Sequence, residues 1–424
     1  MESIRIALVS DWFLPRVGGV EVSIRELAAE LGRQGMEVFV ITTSRGENDG
    51  RGPLESSEEY TVYRAPSLLN GPDGVTVDPL AVARSLLFIK RNAFDLVHSH
   101  GVSSTLSLLT SMIAAGGTGV PTILTNHSLL SDSLVWPASY LLRYALRWPR
   151  ALTGVSRAAA RDIERISGRK ASVTPNCINV RAWIESARPL ELEGDPTIII
   201  TSRLSRRKNP LEIAMVAEEL VKRMPRARLY VIGDGLLGPE LKRQLSYRGL
   251  GGYVKLLGVR PREEVAGLIA SADFFVLTSR RESFGLAVLE SMALGTVPIV
   301  YESPGVTDLV LNGVNGFIVN DPKSLVERLQ EAYETDGLYA RLSNEASRTA
   351  ERFDCERVVR DIILPLYRDV IDRCEVDDRR FLAYTIYRRL TGDPVVRGEW
   401  CKGRKWLYHE RAKEGIVPIV RRRA

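Results

Sequence analysis

"RPLELEGDPT", residues 188–197, decides how this 424-residue chain folds. The stretch is polar, punctuated by two prolines and a glycine, and interrupts a regular alternation of short β-rich runs with amphipathic helical ones. Before it lie the strand-like runs "IRIALVS", "EVFVITT", "DLVHSH", "PTILTNH" and "ALTGVS", with segments such as "VSIRELAAELGRQG" between them. After it come "TIIITSRL", "ARLYVIGDG", "YVKLLG", "DFFVLTS" and "VPIVYE", again separated by helical patterns. Nearly continuous apolar strands joined by helical crossovers predict parallel sheets covered on both faces. The chain is too long for a single core. A break at this point therefore predicts two doubly wound α/β domains facing one another. A single (β/α)8 barrel would close in about 250 residues and leave much of the chain unused. The expected divisions are residues 1–188, residues 195–355, a helix crossing back at 356–375, and a tail at 376–424.

Composition narrows the class. Runs such as "SMIAAG" and "DFFVLTS" fall far short of the ~20 apolar residues that a membrane-spanning helix needs. The opening "MESIRIALVSDWF" moves straight into a strand and lacks the plan of a signal peptide. Cys177, Cys355, Cys374 and Cys401 show no CxxC spacing, which predicts neither a disulfide framework nor a zinc site. A cytoplasmic protein is expected. The formal charge of +6 is unevenly spread: from Arg379 to Ala424 there are thirteen Lys/Arg against four Asp/Glu, so this stretch carries +9 and the preceding residues −3. A mildly acidic body argues against nucleic acid as a partner.

In open α/β sheets ligands bind outside the carboxyl ends of the strands. Gly18 and Gly19 follow the first strand and open a helix, where backbone can approach a ligand; no GxGxxG accompanies them. Three of the four histidines, His98, His100 and His127, close predicted strands, which suggests a cleft, without the carboxylates a metal centre would add. In the second half "TSRLSRRKNP" places Arg203 and Lys208 after one strand, and "VIGDG" places Gly233, Asp234 and Gly235 after the next. "RRESFGLAVLESMALG" then sets Glu282 and Glu290 eight positions apart. Two cations beside the backbone amides of Phe284, Gly285 and Leu286 suit a diphosphate. Eight helical residues rise roughly 12 Å, too far for the carboxyl pair of a glycosidase.

"ESFGLAVLE" matches an E-x7-E signature, and together with "GGVE", "TNHS", "SRLSRRK" and "GDG" in this order the chain resembles the family-four retaining glycosyltransferases over about residues 4–370. The resemblance implies the GT-B fold, two facing Rossmann-like domains with the acceptor domain first and the nucleotide-sugar domain second. "VSDWFLPRVGGVE" and "HSHG…TNHSLL" are most similar to members that add N-acetylglucosamine to phosphatidylinositol, with mannosyltransferases of inositol lipids close by. The likeness implies that Arg203 and Lys208 neutralise the donor diphosphate, Glu290 accepts the ribose hydroxyls, and Glu282 binds hydroxyls of the donor sugar. Phe284, Gly285 and Leu286 would supply amides, and Gly233, Asp234 and Gly235 would shape the nucleotide pocket. His127 would lie under the sugar, and Gly18 and Gly19 would close over donor and acceptor. The implied activity moves a hexosyl or N-acetylhexosaminyl unit from a UDP- or GDP-sugar to a lipid or glycan hydroxyl. A sugar-nucleotide epimerase and a catalytically silent GT-B partner protein are the alternatives.

No DxD occurs in the sequence, so no metal and no cofactor are expected. "SYLLRYALRWPR" (139–150) and the basic, aromatic tail suggest peripheral contact with an anionic membrane, at its inner face.

Overall fold

The computed structural model describes residues 4–16, 18–44, 54–69, 78–130 and 138–372. Expectations about the tail at 376–424 therefore lie outside the described residues, as do Cys374 and Cys401. The described residues form two units, the first from residues 4–155, 159–174 and 359–372, the second from 156–158 and 175–358.

The first unit is built on an eight-stranded sheet. Its strands are β1 (Arg5–Ser10), β2 (Glu37–Thr42), β3 (Leu54–Ser56), β4 (Tyr60–Arg64), β5 (Leu96–His100), β6 (Thr122–Asn126), β7 (Ala151–Gly154) and β8 (Ser172–Val173), ordered β3-β4-β2-β1-β5-β6-β7-β8. All pairs are parallel except β3 with β4 at one edge. The order reverses direction between β1 and β5, which makes that the switch point where a doubly wound sheet opens a ligand crevice. Helices α1 (Gly19–Arg33), α2 (Pro79–Asn92), α3 (Thr105–Ile113), α4 (Ala138–Ala145) and α5 (Arg157–Ser167) connect the strands. The central strands are buried almost end to end because helices cover both faces. Phe39, Phe88 and Phe94 pack edge to face or tilted in the core between α2 and the sheet.

The second unit holds six parallel strands: β9 (Thr197–Thr201), β10 (Arg228–Ile232), β11 (Val254–Gly258), β12 (Phe274–Leu277), β13 (Val297–Tyr301) and β14 (Phe317–Val319). Their order, β11-β10-β9-β12-β13-β14, places its switch point between β9 and β12. Eight helices accompany it: α6 (Val180–Ser186), α7 (Glu212–Arg223), α8 (Gly238–Tyr247), α9 (Arg262–Ala270), α10 (Leu286–Ala293), α11 (Pro322–Glu334), α12 (Leu338–Arg352) and α13 (Cys355–Val358). A π-turn at Val359–Ile363 and α14 (Leu364–Asp372) return the chain to the first unit.

Three expectations are corrected. The chain enters the second unit at Pro175, so "RPLELEGDPT" lies inside that unit and is not its border. The cause is α6, which is fastened there: the Val180 amide donates to Asp354 (3.0 Å), and Arg262 stacks over the Trp183 ring (4.8 Å). Secondly, Cys177 and Cys355 form a disulfide, their Cα atoms 4.8 Å apart and 178 residues apart in sequence. Tertiary pairing of distant segments made it; the Cys355 amide donates to the Ile178 carbonyl (3.0 Å) and Ile178 donates to Phe353 (3.2 Å). Thirdly, α4 spends its apolar face inside the first unit. Leu142, Ala145 and Leu146 are buried, and Tyr144 and Trp148 pack against the core, which leaves Tyr140 as its exposed aromatic residue.

The disulfide closes nearly the whole second unit into one loop, so it should stabilise chiefly by restricting the unfolded chain. Reduction is expected to cost about 2–4 kcal/mol, read as a lower urea midpoint with dithiothreitol present. Peptide mapping without reductant should recover the cross-linked peptide; alkylation of both cysteines in unreduced protein would refute the pairing.

Candidate active site

At the switch point of the second unit, two loops leave neighbouring strands and are tied together. After β9 the chain makes a 3-10 turn at Arg206–Lys208, ended by Asn209 in the left-handed region (φ 53°). Loop β12–α10 anchors this turn: Thr278 Oγ1 donates to the Asn209 carbonyl (3.2 Å) and Ser279 Oγ to that of Arg207 (3.4 Å). Lys208 Nζ reaches both carboxylate oxygens of Glu282, at 2.6 and 2.8 Å. Glu282 is 7% exposed, so its charge is held in a poorly hydrated place and needs this partner. An ammonium has three donors, and this geometry leaves one directed elsewhere.

The Glu282 backbone is fixed from the next strand. Its amide donates to Ser303 Oγ (2.5 Å), and the Gly305 amide donates to its carbonyl (2.9 Å). A Cβ on Gly305 would lie 2.2 Å from the Ser283 carbonyl carbon, so only glycine permits this approach. Ser303 and Gly305 were missed in the sequence. Their signal was present: "ESPG" (302–305) follows β13 as "ESFG" (282–285) follows β12.

Helix α10 begins only at Leu286, with Gly285 as its N-cap at φ 103°. Glu282 is therefore off the helix, and helical rise does not measure its separation from half-buried Glu290. The amides at this N-terminus point out of the turn with the positive end of the helix dipole behind them. The Phe284 ring is buried against Phe353 (5.7 Å between centroids), so only its backbone is available to a ligand.

On the other side of β9, Gly233, Asp234 and Gly235 follow β10. A Cβ on Gly233 would sit 2.0 Å from the Ser202 carbonyl oxygen, and one on Gly235 2.6 Å from that of Leu204. The glycines let this turn lie on the loop that carries Arg203, where the Leu204 amide donates to the Asp234 carbonyl (2.9 Å). Arg203 and Asp234 are exposed. The structure thus gathers Arg203, Lys208, Gly233, Asp234, Gly235, Glu282, Gly285 and Leu286 on loops at the carboxyl edge of one sheet, and Glu290 one turn further along α10. Cations and helix-end amides at this edge suit a phosphorylated ligand.

In the first unit, Gly18 caps α1 after β1, and His127 follows β6. The three histidines do not line an open cleft, in contrast to the expectation. All three are buried. His98 is a satisfied core residue, Nδ1 bonded to the Tyr367 hydroxyl (2.7 Å) and Nε2 to Thr125 Oγ1 (2.6 Å). His100 Nδ1 and His127 Nε2 share a hydrogen bond (2.9 Å), and His100 Nε2 and His127 Nδ1 are buried without partners among the described residues. Burial disfavours imidazolium and pushes His98 down to about 3 and His127 to about 4, with His100 also well below the usual range. Asp11 is a structural cap: its carboxylate accepts from Ser104 Oγ and, at 3.2 Å, the Leu106 amide at the start of α3. Among the described residues no group of three or more His, Cys, Asp or Glu could hold a metal ion, and no helix is long and apolar enough to cross a membrane.

Two family models match in tandem. "Glycosyltransferase Family 4" covers residues 17–182, and "Glycosyl transferases group 1" covers residues 182–349. The chain is 26% identical over 335 residues to a phosphatidylinositol N-acetylglucosaminyltransferase component of Arabidopsis thaliana, covering 78% of this chain and 74% of that protein. It is 26% identical over 358 residues to the alpha-monoglucosyldiacylglycerol synthase of Streptococcus pneumoniae, covering 77% of this chain and 78% of the relative. Among solved structures, Anabaena HepE in complex with UDP-glucose superposes with a TM-score of 0.65 at 21% identity, over 86% of this chain and 99% of that one, which shows a shared fold.

Proposed function

As a member of the family 4 and group 1 glycosyltransferases, with their GT-B fold, this chain moves a sugar from a nucleotide-sugar donor, and we propose that it does so with retention of configuration onto a lipid hydroxyl. The unit transferred is a hexosyl or N-acetylhexosaminyl group from a UDP- or GDP-sugar, and an inositol phospholipid or another lipid or glycan hydroxyl is the acceptor. The observation carrying the donor reading is the Lys208–Glu282 pair at the β9/β12 switch point, with Arg203 and the α10 N-terminus beside it. In this reading Arg203 and Lys208 take up charge on the departing diphosphate, where fixed cations and amides stabilise it most. Glu282 holds Lys208 and binds sugar hydroxyls, and Glu290 accepts the ribose hydroxyls. Gly18, Gly19 and His127 are the residues of the first unit proposed for substrate contact. The departing phosphate oxygen takes the acceptor proton, so no separate general base is assigned. The lipid acceptor is supported by the two relatives named above, whose names specify phosphatidylinositol and monoglucosyldiacylglycerol.

Thermal shift with a panel of UDP- and GDP-sugars should single out the donor, since binding stabilises by RT ln(1 + [L]/Kd). Slow release of nucleoside diphosphate from that donor should follow. A chain that binds and hydrolyses none of the panel would be a silent partner protein, and the proposal would fall.

Two further outcomes are expected. Glu290→Ala should weaken nucleoside diphosphate binding in calorimetry by about 1.5–3 kcal/mol, the worth of a charge-assisted contact, and Arg203→Ala should weaken it by less, because Arg203 is exposed. Turnover should survive dialysis against EDTA, because the sequence offers no DxD and Arg203 and Lys208 are the charges proposed for the diphosphate; recovery only on adding magnesium would contradict this.

A further inference from the structure

His100 and His127 meet as a buried pair at the carboxyl edge of the first sheet. His100 is the last residue of β5, and His127 follows β6, the neighbouring strand. One hydrogen bond joins the rings, between His100 Nδ1 and His127 Nε2. Both backbones are pinned. The His100 carbonyl accepts from Ser107 Oγ (2.8 Å). Beside His127, the Asn126 side-chain amide donates to the Ser128 and Ala159 carbonyls (2.9 and 3.0 Å). The His98 ring, on the same face of β5, lies 4.2 Å from that of His100, centroid to centroid. The pair is thus held in place, while its two outer nitrogens, His100 Nε2 and His127 Nδ1, have no partner among the described residues.

A single shared hydrogen bond couples the tautomers of two neutral rings. Each neutral imidazole carries one proton, on one of its two nitrogens. If His100 Nδ1 holds the bridging proton, its Nε2 is bare, and His127, accepting at Nε2, carries its own proton on Nδ1. If His127 Nε2 holds it, His127 Nδ1 is bare and His100 Nε2 becomes a buried N–H with no acceptor. Protonating both rings offers no escape, since burial disfavours imidazolium at either position. Depth separates the two states. His100 is 2% exposed and His127 7%. Buried orphan donors are rarer in proteins than under-satisfied acceptors, so the free N–H belongs on the less buried ring.

We propose that His100 is a positioning residue: it donates Nδ1–H to His127 Nε2 and so holds His127 in the Nδ1–H tautomer, which offers a hydrogen-bond donor to an oxygen of the transferred sugar. The inference rests on the reading of His127 as a substrate contact. His98 has no share in it, because Tyr367 and Thr125 occupy both its nitrogens. The other tautomer would turn a lone pair toward the same oxygen, and a ring or phosphate oxygen, having no hydrogen, would be repelled by it.

The chain has four histidines, so full-length protein with isotope-labelled histidine gives a spectrum in which each ring is identified by its loss in a single variant. Long-range proton–nitrogen correlation tells a protonated imidazole nitrogen from a bare one. In the free protein His127 should show Nδ1 protonated and Nε2 bare. His100→Asn, whose amide nitrogen can stand where Nδ1 stood, should keep that tautomer, and His100→Leu should lose it. Turnover is followed as release of nucleoside diphosphate from the nucleotide sugar that the thermal-shift panel selects, at a temperature where melting curves show every variant folded. His100→Leu should lower kcat/KM about tenfold, the worth of one misdirected hydrogen bond, and His100→Asn by no more than about threefold. A role in packing alone would move neither the tautomer nor the difference between the two variants. A protonated His127 Nε2 in the wild type, or equal rates in His100→Leu and His100→Asn, overturns the proposal. Unchanged turnover in His127→Ala would remove His127 from the site and the proposal with it, whatever tautomer the spectrum shows, so the two failures are told apart.

Discussion

Lys208→Ala should destabilise the second unit by about 3–5 kcal/mol and weaken nucleoside diphosphate binding at least tenfold. The first figure follows from what the substitution leaves behind. Glu282 is nearly buried, and Lys208 Nζ supplies hydrogen bonds to both of its oxygens. Removing one partner of such a pair strands a charge in a poorly hydrated place, and that penalty exceeds the net worth of the intact pair. The second figure is the lost contact to the diphosphate. The two effects separate in a double substitution: Lys208→Met/Glu282→Gln removes both charges, so it should recover most of the stability and none of the affinity. Urea unfolding and calorimetry of the three proteins check this. Additive losses in the double variant would show that the pair is not the unit assumed, and unchanged affinity in Lys208→Ala would remove it from the donor site.

The wound sheets were legible because apolar runs bounded by turns survive any detail of packing. Strands that depend on a neighbour were not. β3 and β8 are three and two residues long, β4 alternates instead of running apolar, and β14 is "FIV". The position of the loops proposed for the donor was legible from residue types after strands, since position at the carboxyl edge follows from topology. That Lys208 would meet Glu282 was not, because 74 residues separate them and only the strand order β9–β12 brings them together. The disulfide failed for the same reason. His98 failed for a different one: it lies in the middle of β5, with Nε2 on Thr125 of the neighbouring strand and Nδ1 on Tyr367 of the returning α14, partners that sequence order does not show.

Acidification should destabilise the first unit from about pH 6.5 downward, well above the range where carboxylates titrate. His98 and His127 are held neutral to about 3 and about 4, whereas in the unfolded chain they take up protons near 6.5. With the folded values depressed, the unfolded state binds more protons below 6.5. Stability is therefore fully present above that pH and is lost as pH falls toward the folded values. Each histidine contributes about 1.4 kcal/mol per pH unit in this window, so by pH 5 the two cost about 4 kcal/mol, and His100 adds in the same direction. That is a large share of the 5–15 kcal/mol typical of a domain. Replacing His127 by Gln should reduce the dependence of unfolding free energy on pH between 6.5 and 5 by about one proton. His98→Phe is less clean, because it also strips the partner from buried Tyr367. Urea titrations at pH 7.5, 6 and 5 measure the slope directly. A slope unchanged by His127→Gln would mean the ring is protonated in the folded chain. If the slope falls as expected, His127 is a neutral imidazole throughout the physiological range, able to donate or accept a hydrogen bond but not to supply charge.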